Sequence, residues 1–385
     1  MRFLFVVPPL AGHVNPTVSV ARVLESAGHT VAWAAHRDAV APLLPPGAEI
    51  LPLNADLAPE AFDRMRARWS QVRGLEGLKF LWEDFLLPLA RMTRQSIEEA
   101  VDLARPSVMV VDQQVLAGAL VARRRGLPWA TFATTSADPV ESVASLPKVQ
   151  EWVGSQLSGL QSEAGVFSGS ERFDISPFLV VVFSTPALAG PERPSPPQYQ
   201  FVGPSITDRP DSTPFPWESL QDGPVVLVSL GTVNAMRGER FYSTVIEALG
   251  HSRVQVVLVA PEELVGVAPD NVIVRRRVPQ LRLLPRVHAV VCHGGHNTVC
   301  EALAHGLPLV VAPIKDDQPV IAQQVVDAGA GIRVRFGRVS AAELRTAVER
   351  VLEEDSFKAA AVTIQASFAE AGGAARAARL LEGLG

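Results

Sequence analysis

A chain of 385 residues with 48% hydrophobic and 19% charged residues is globular and too long for one ordinary domain; it suits two of roughly 150–200 residues. Its net charge of −5 speaks against nucleic acid as the main partner, because phosphate-backbone binders carry a basic surplus, and a small metabolite fits better. The two cysteines, Cys292 and Cys300, fall in apolar surroundings and read as reduced core thiols, not as a disulfide or metal pair.

The opening run Phe3–Val7 has one basic residue ahead of it and Pro8-Pro9 directly behind, so it reads as a buried strand and not as a signal peptide. No apolar stretch approaches the roughly 18 residues needed to cross a bilayer, and a cytoplasmic protein is expected. Short apolar runs then alternate with helix-period segments: Val14–Ala27, Thr30–Ala35, a long helical region, Val108–Val111, Val115–Arg125 and Trp129–Ala133. The rhythm returns with Val225–Leu230, Phe241–Leu249, Val256–Ala260, Val272–Val274, Ala289–Cys292, Thr298–Ala304, Leu309–Ala312, Val320–Ala328 and Ile332–Val334. Such alternation predicts two doubly wound, Rossmann-like parallel-sheet α/β domains with helices on both sheet faces, facing each other across a cleft.

Between the halves, Pro186 to Pro224 is dense in proline and predicts an extended connection with one short strand at Gln200–Val202. The expected division is 1–203 for the first domain, 204–223 for the linker, 224–370 for the second domain and 371–385 for a last helix. Gly372-Gly373 breaks the helical pattern between Phe357–Ala371 and Ala374–Leu384, which would let that helix leave the second domain and pack on the first.

The chemistry concentrates at strand ends. Strand Ala289–Cys292 runs into His293-Gly294-Gly295-His296-Asn297-Thr298 and then a helix carrying Glu301. Small residues admit a ligand to the backbone, the helix N-terminus offers N–H groups and positive potential, and His293 and Asn297 add donors, so the block suits a diphosphate. Glu301, one turn after Asn297, is placed to accept ribose hydroxyls. Gly12-His13-Val14-Asn15-Pro16 brings a histidine to the mouth of the first domain, either a general base or a helix cap or solvated residue. Asp112 ends a strand at the same rim, either orienting that histidine or capping the next helix. Asp317-Gln318 suits sugar hydroxyls or a helix N-cap with a first-turn proline.

Taken together and in this order, these segments resemble the nucleotide-sugar-dependent glycosyltransferases of GT-B architecture, family 1, and within them the bacterial branch acting on natural products such as macrolides. The resemblance covers essentially the whole chain. It implies His13 as general base with Asp112 orienting it, and His293, Gly295, Asn297 and Thr298 as the diphosphate cradle. It also implies Glu301 as ribose ligand, Val278 and Gln280 as the platform for the base, Asp317 and Gln318 as donor-sugar contacts, and Thr232 as a loop residue touching phosphate. The implied reaction is an inverting, metal-independent and cofactor-free transfer from a UDP- or dTDP-sugar to a hydroxyl or amine of a hydrophobic small molecule, in an antibiotic or natural-product pathway. A monomer or homodimer is expected.

The chain departs from the family at His296, Val278 and Ile321. The role of His296 stays open between phosphate contact and wall, and Val278 leaves uridine and thymidine donors undecided. For the acceptor, the apolar stretch Leu75–Leu86 offers Phe80, Trp82 and Phe85, joined by Trp69, with core packing as the competing account; Ser136 to Arg172 reads as a flexible wall. Rival readings are a nucleotide-sugar epimerase or lipid-linked transferase on the same scaffold, and an inactive nucleotide-sugar-binding partner protein.

Overall fold

The structure, a computed structural model, describes residues 1–53, 68, 72, 74–134, 147–166, 172–190, 196–206 and 213–385, apart from the side chains of Leu75, Thr232 and Val233. The chain forms two compact units. Unit 1 comprises Met1–Phe183, Glu192–Ile206 and Ala371–Gly385, and unit 2 comprises Ser184–Pro191 and Thr207–Glu370.

Unit 1 is built on seven parallel strands: β1 (Arg2–Val6), β2 (Thr30–Ala35), β3 (Glu49–Pro52), β4 (Val108–Asp112), β5 (Trp129–Ala133), β6 (Leu179–Val182) and β7 (Tyr199–Phe201). Their order in the sheet is β3-β2-β1-β4-β5-β6-β7. Helices α1 (Ala11–Ser26), α2 (Leu87–Ala104), α3 (Leu116–Arg125) and α4 (Pro147–Glu163) connect them. The central strands are uninterrupted apolar runs because both of their faces are covered: one by α2, α3 and α4, the other by α1 and the C-terminal helix.

Unit 2 has six parallel strands: β8 (Val225–Ser229), β9 (Gln255–Val259), β10 (Val272–Arg275), β11 (Ala289–Cys292), β12 (Leu309–Val311) and β13 (Gly331–Arg333), in the order β10-β9-β8-β11-β12-β13. Its helices are α5 (Glu239–Leu249), α6 (His296–Ala304), α7 (Gln318–Asp327), α8 (Ala341–Glu353) and α9 (Asp355–Ala371). Strand order reverses between β1 and β4 in unit 1 and between β8 and β11 in unit 2. A crevice opens at such a point beyond the strand ends, because the connecting helices leave on opposite faces.

Three features differ from the sequence reading. Within Ser136 to Arg172, where a flexible wall was expected, residues 147–163 form α4, whose apolar spacing is helical and which buries Val153, Leu157 and Leu160 in the core. Strands β3 and β6 were not anticipated, being four residues each. The strand within the proline-rich connection is β7, the edge of the unit 1 sheet, where Val182 pairs with Phe201. Further on, Phe215 enters the unit 2 core and Trp217 lies under Arg282 and Arg286, so the described end of the connection is packed and not a free spacer.

The last helix, α10 (Gly373–Glu382), belongs to unit 1. Gly372, at φ 87°, turns the chain through a conformation that a side chain would strain, and Gly373 N–H then donates to Val202 C=O at 2.6 Å. Ala374, Ala377, Ala378 and Leu381 lie on one face of α10 and pack with Phe3, Val14, Val18 and Ala21. His29 ties this helix to the start of the chain, with Nε2 2.9 Å from Glu382 Oε1 and Nδ1 3.2 Å from the Met1 ammonium. Leu381 is fully buried, so Leu381→Ala should destabilise the protein by about 2–5 kcal/mol in urea unfolding. A loss under about 0.5 kcal/mol would show that α10 is not docked in solution.

Candidate active site

In unit 1, β1, β4 and β5 are neighbours, so the residues that follow their carboxyl ends meet at one rim. Pro8-Pro9 ends β1, α1 starts at Ala11, and His13 falls in its first turn. Asp112 is the last residue of β4, and Thr134 follows β5. His13 Nδ1 stands 3.0 and 2.9 Å from Asp112 Oδ1 and Oδ2, with relative exposures of 8% for the histidine and 1% for the aspartate. A carboxylate only accepts, so Nδ1 carries the proton and the lone pair sits on Nε2. Gln114 N–H donates to Asp112 Oδ1 at 2.9 Å. Asp112 does not cap the first turn of α3, whose cap residue is Val115.

In unit 2, β8, β11 and β12 are likewise neighbours, and their ends carry Gly231, His293 and the Ile314–Gln318 loop. The His293 ring is seated between two glycines. A Cβ on Gly231 would lie 2.7 Å from its Cε1, and a Cβ on Gly295 would lie 2.6 Å from its Nε2. Any other residue at either position would push the ring away, which explains small residues on both sides. Gly295 is the N-cap of α6 and supplies no side-chain cap, so the first-turn N–H groups keep the polarity that suits an anion. Asn297 and Thr298 occupy that first turn and are half-buried.

Burial pushes the His293 imidazole down to about 4, with the Ser229 backbone opposing part of the effect. Its Nδ1 has no hydrogen-bond partner within bonding geometry. The ring is therefore neutral at pH 7 and can supply one N–H, not a positive charge. The unfolded chain takes up this proton near pH 6.5 while the folded chain refuses it until about 4, so folding stability falls across that window as pH drops. A depression of this size is worth on the order of 3 kcal/mol once fully expressed. Urea unfolding of His293→Phe should accordingly lose less stability than the wild type between pH 7 and pH 5; an equal loss would place the acid sensitivity elsewhere.

The other residues sort by what they touch. Gln280 Nε2 donates to Glu301 Oε2 at 2.6 Å, which brings two of the expected nucleoside contacts together. Val278 is half-buried and packs against the unit 2 core. His296 turns onto its own helix, with Nε2 3.5 Å from Cys300 Sγ, and lies buried. Gln318 Oε1 accepts from Ile314 N–H at 2.9 Å and Lys315 N–H at 3.1 Å, so its carbonyl end closes the loop it stands on. Asp317 is the N-cap of α7 without a side-chain cap bond. Phe80, Trp82 and Phe85 are 2–3% exposed, and Trp82 and Phe85 belong to the unit 1 core. Trp69 lies outside the described residues, as does the side chain of Thr232.

Sequence reasoning missed Thr134, Lys315 and Asn234. Thr134 follows the strand beside Asp112, and reading across neighbouring strand ends would have found it. Lys315 is buried next to Asp316, its ammonium pushed down by burial and held up by that carboxylate. Asp316 sits at φ 57°, a conformation aspartate tolerates better than most residues. Asn234 buries an amide oxygen without a partner in the turn after β8, and no sequence pattern distinguishes it.

Paired doubly wound sheets, each with polar residues gathered at its switch point, are the fold of GT-B glycosyltransferases. The calicheamicin glycosyltransferase CalG4 is similar at a TM-score of 0.81 and 25% identity over 100% of this chain and 98% of that one. The family described as UDP-glucoronosyl and UDP-glucosyl transferase matches residues 193–368. 4'-Demethylrebeccamycin synthase of Lentzea aerocolonigenes is 30% identical over 100% of this chain and 99% of that protein. Demethyllactenocin mycarosyltransferase of Streptomyces fradiae is also 30% identical, over 99% and 86%. The chain belongs to this family and is a glycosyltransferase. Among the described residues no helix is long and apolar enough to cross a membrane.

Proposed function

We propose that this enzyme moves a hexose or deoxyhexose from a UDP- or dTDP-sugar to a hydroxyl or amine of a hydrophobic small molecule, inverting the anomeric carbon, with His13 as base and no cofactor or metal. The observation that carries this reading is the buried His13–Asp112 pair, with Nδ1 committed to the carboxylate and the basic lone pair on Nε2. Nε2 takes the acceptor proton as the acceptor oxygen or nitrogen bonds to the anomeric carbon. The carbon–oxygen bond to the diphosphate breaks, and its electrons leave with the diphosphate. Asp112 then faces an imidazolium, which its charge stabilises. At the diphosphate, the α6 N-terminus and the His293 N–H act on the charge that builds on the leaving group. Glu301 and Gln280 receive the ribose and base, and Asp317 with Gln318 the sugar.

An inert nucleotide-sugar binder would have no use for a histidine locked in the tautomer of a base. Calorimetry with UDP, dTDP and their glucose conjugates provides the test. Micromolar binding of one base supports the donor assignment and selects between uridine and thymidine; no binding of either would sink it.

A further inference from the structure

The Thr134 hydroxyl is 2.7 Å from His13 Nδ1 and 2.9 Å from Asp112 Oδ2, and all three side chains are buried. The carboxylate cannot donate, so the hydroxyl proton goes to Oδ2 and the Thr134 oxygen accepts from Nδ1–H. The opposite arrangement, with the hydroxyl donating to a bare Nδ1, would set that lone pair against both carboxylate oxygens at 2.9–3.0 Å. Only one tautomer satisfies the cluster.

The two aspartate oxygens are nearly equidistant from Nδ1, so the His13–Asp112 contact alone allows the carboxylate to swing about its own axis. Two further donors stop that motion: the Gln114 N–H on Oδ1 and the Thr134 hydroxyl on Oδ2, each at 2.9 Å. At 2% exposure, Thr134 has no water at hand to replace its hydroxyl. We propose that Thr134 is a positioning residue for the transfer, completing a His13–Asp112–Thr134 triad in which Asp112 sets the tautomer of the imidazole and Thr134 holds the carboxylate, and with it the plane of the ring. This rests on the reading of His13 as the base.

The test compares wild type, Thr134→Val, Thr134→Ser and His13→Ala in the full chain. Valine keeps the shape and removes the hydroxyl, whereas serine keeps the hydroxyl and loses the methyl. With histidine labelled in ¹⁵N, the His13 signal, identified by its absence in His13→Ala, should report a single Nδ1–H tautomer in wild type and Thr134→Ser. Thr134→Val should keep that tautomer, which Asp112 dictates, but show a displaced and broadened His13 signal and a shifted titration, because the carboxylate and the ring it holds are freed to swing. Release of diphosphate from UDP-glucose or dTDP-glucose should fall about 10–100-fold in kcat for Thr134→Val, with KM for the donor unchanged, and recover in Thr134→Ser. A wild-type His13 signal in Thr134→Val, or equal damage from serine and valine, overturns the inference and leaves Thr134 a packing residue. If His13→Ala itself keeps full turnover, it is the reading of His13 that fails.

Discussion

His13→Ala is expected to lower turnover by about 10²–10⁴-fold while leaving nucleoside diphosphate affinity unchanged. The magnitude is that of a general base removed from a site whose other contributions stay in place. The selectivity follows from location, because His13 is bonded within unit 1 to Asp112 and Thr134, whereas the residues proposed for the diphosphate stand on unit 2. Asp112→Asn should cost a comparable factor, since an amide can present its N–H to Nδ1 and favour the wrong tautomer. Rates and calorimetric affinities measured on the same preparations check both; a variant that loses binding together with turnover would mean that His13 supports the fold of the donor site instead.

His293→Ala is expected to weaken nucleoside diphosphate binding by about 10–100-fold, the worth of one hydrogen bond to a charged group. Gly295→Ala should act in the same direction without touching the imidazole chemistry, because its new methyl would stand where the ring now lies, 2.6 Å from Nε2. Agreement between the two variants would attribute the effect to the seat of the ring. If Gly295→Ala binds as the wild type does, His293 is not positioned by the glycines. If His293→Ala does, the imidazole contributes nothing to diphosphate binding.

Much of this architecture is legible in the sequence because parallel strands buried on both faces cannot hide their apolar runs. Thr30–Ala35, Trp129–Ala133 and Ala289–Cys292 are observed with the boundaries their composition predicts. The strands that escaped, β3 and β6, are four residues long and carry too few residues for a period to emerge. The Gly12-His13 segment and the His293 block were visible as motifs, the latter because the close approach of the ring to its neighbouring glycines restricts which residues fit. What a sequence cannot carry is the pairing across strands. Asp112 and Thr134 are 22 residues apart and meet only because β4 and β5 are adjacent. The burial of Trp82 and Phe85 in the core is equally invisible, since a helical apolar stripe looks the same whether it faces a core or a ligand.

The return of α10 to unit 1 has a consequence for biosynthesis. Chains emerge from the ribosome N-terminus first, at about 5–20 residues per second, and N-terminal domains ordinarily fold first. Here Phe3, Val14, Val18 and Ala21 share a cluster with Ala377 and Leu381, residues made after all of unit 2. Unit 1 therefore cannot complete its core until all of unit 2 has been made, since every residue of unit 2 precedes Ala371. Nascent unit 1 must wait with an apolar face uncovered, and chains stalled before residue 371 would be the aggregation-prone species in any expression of this enzyme.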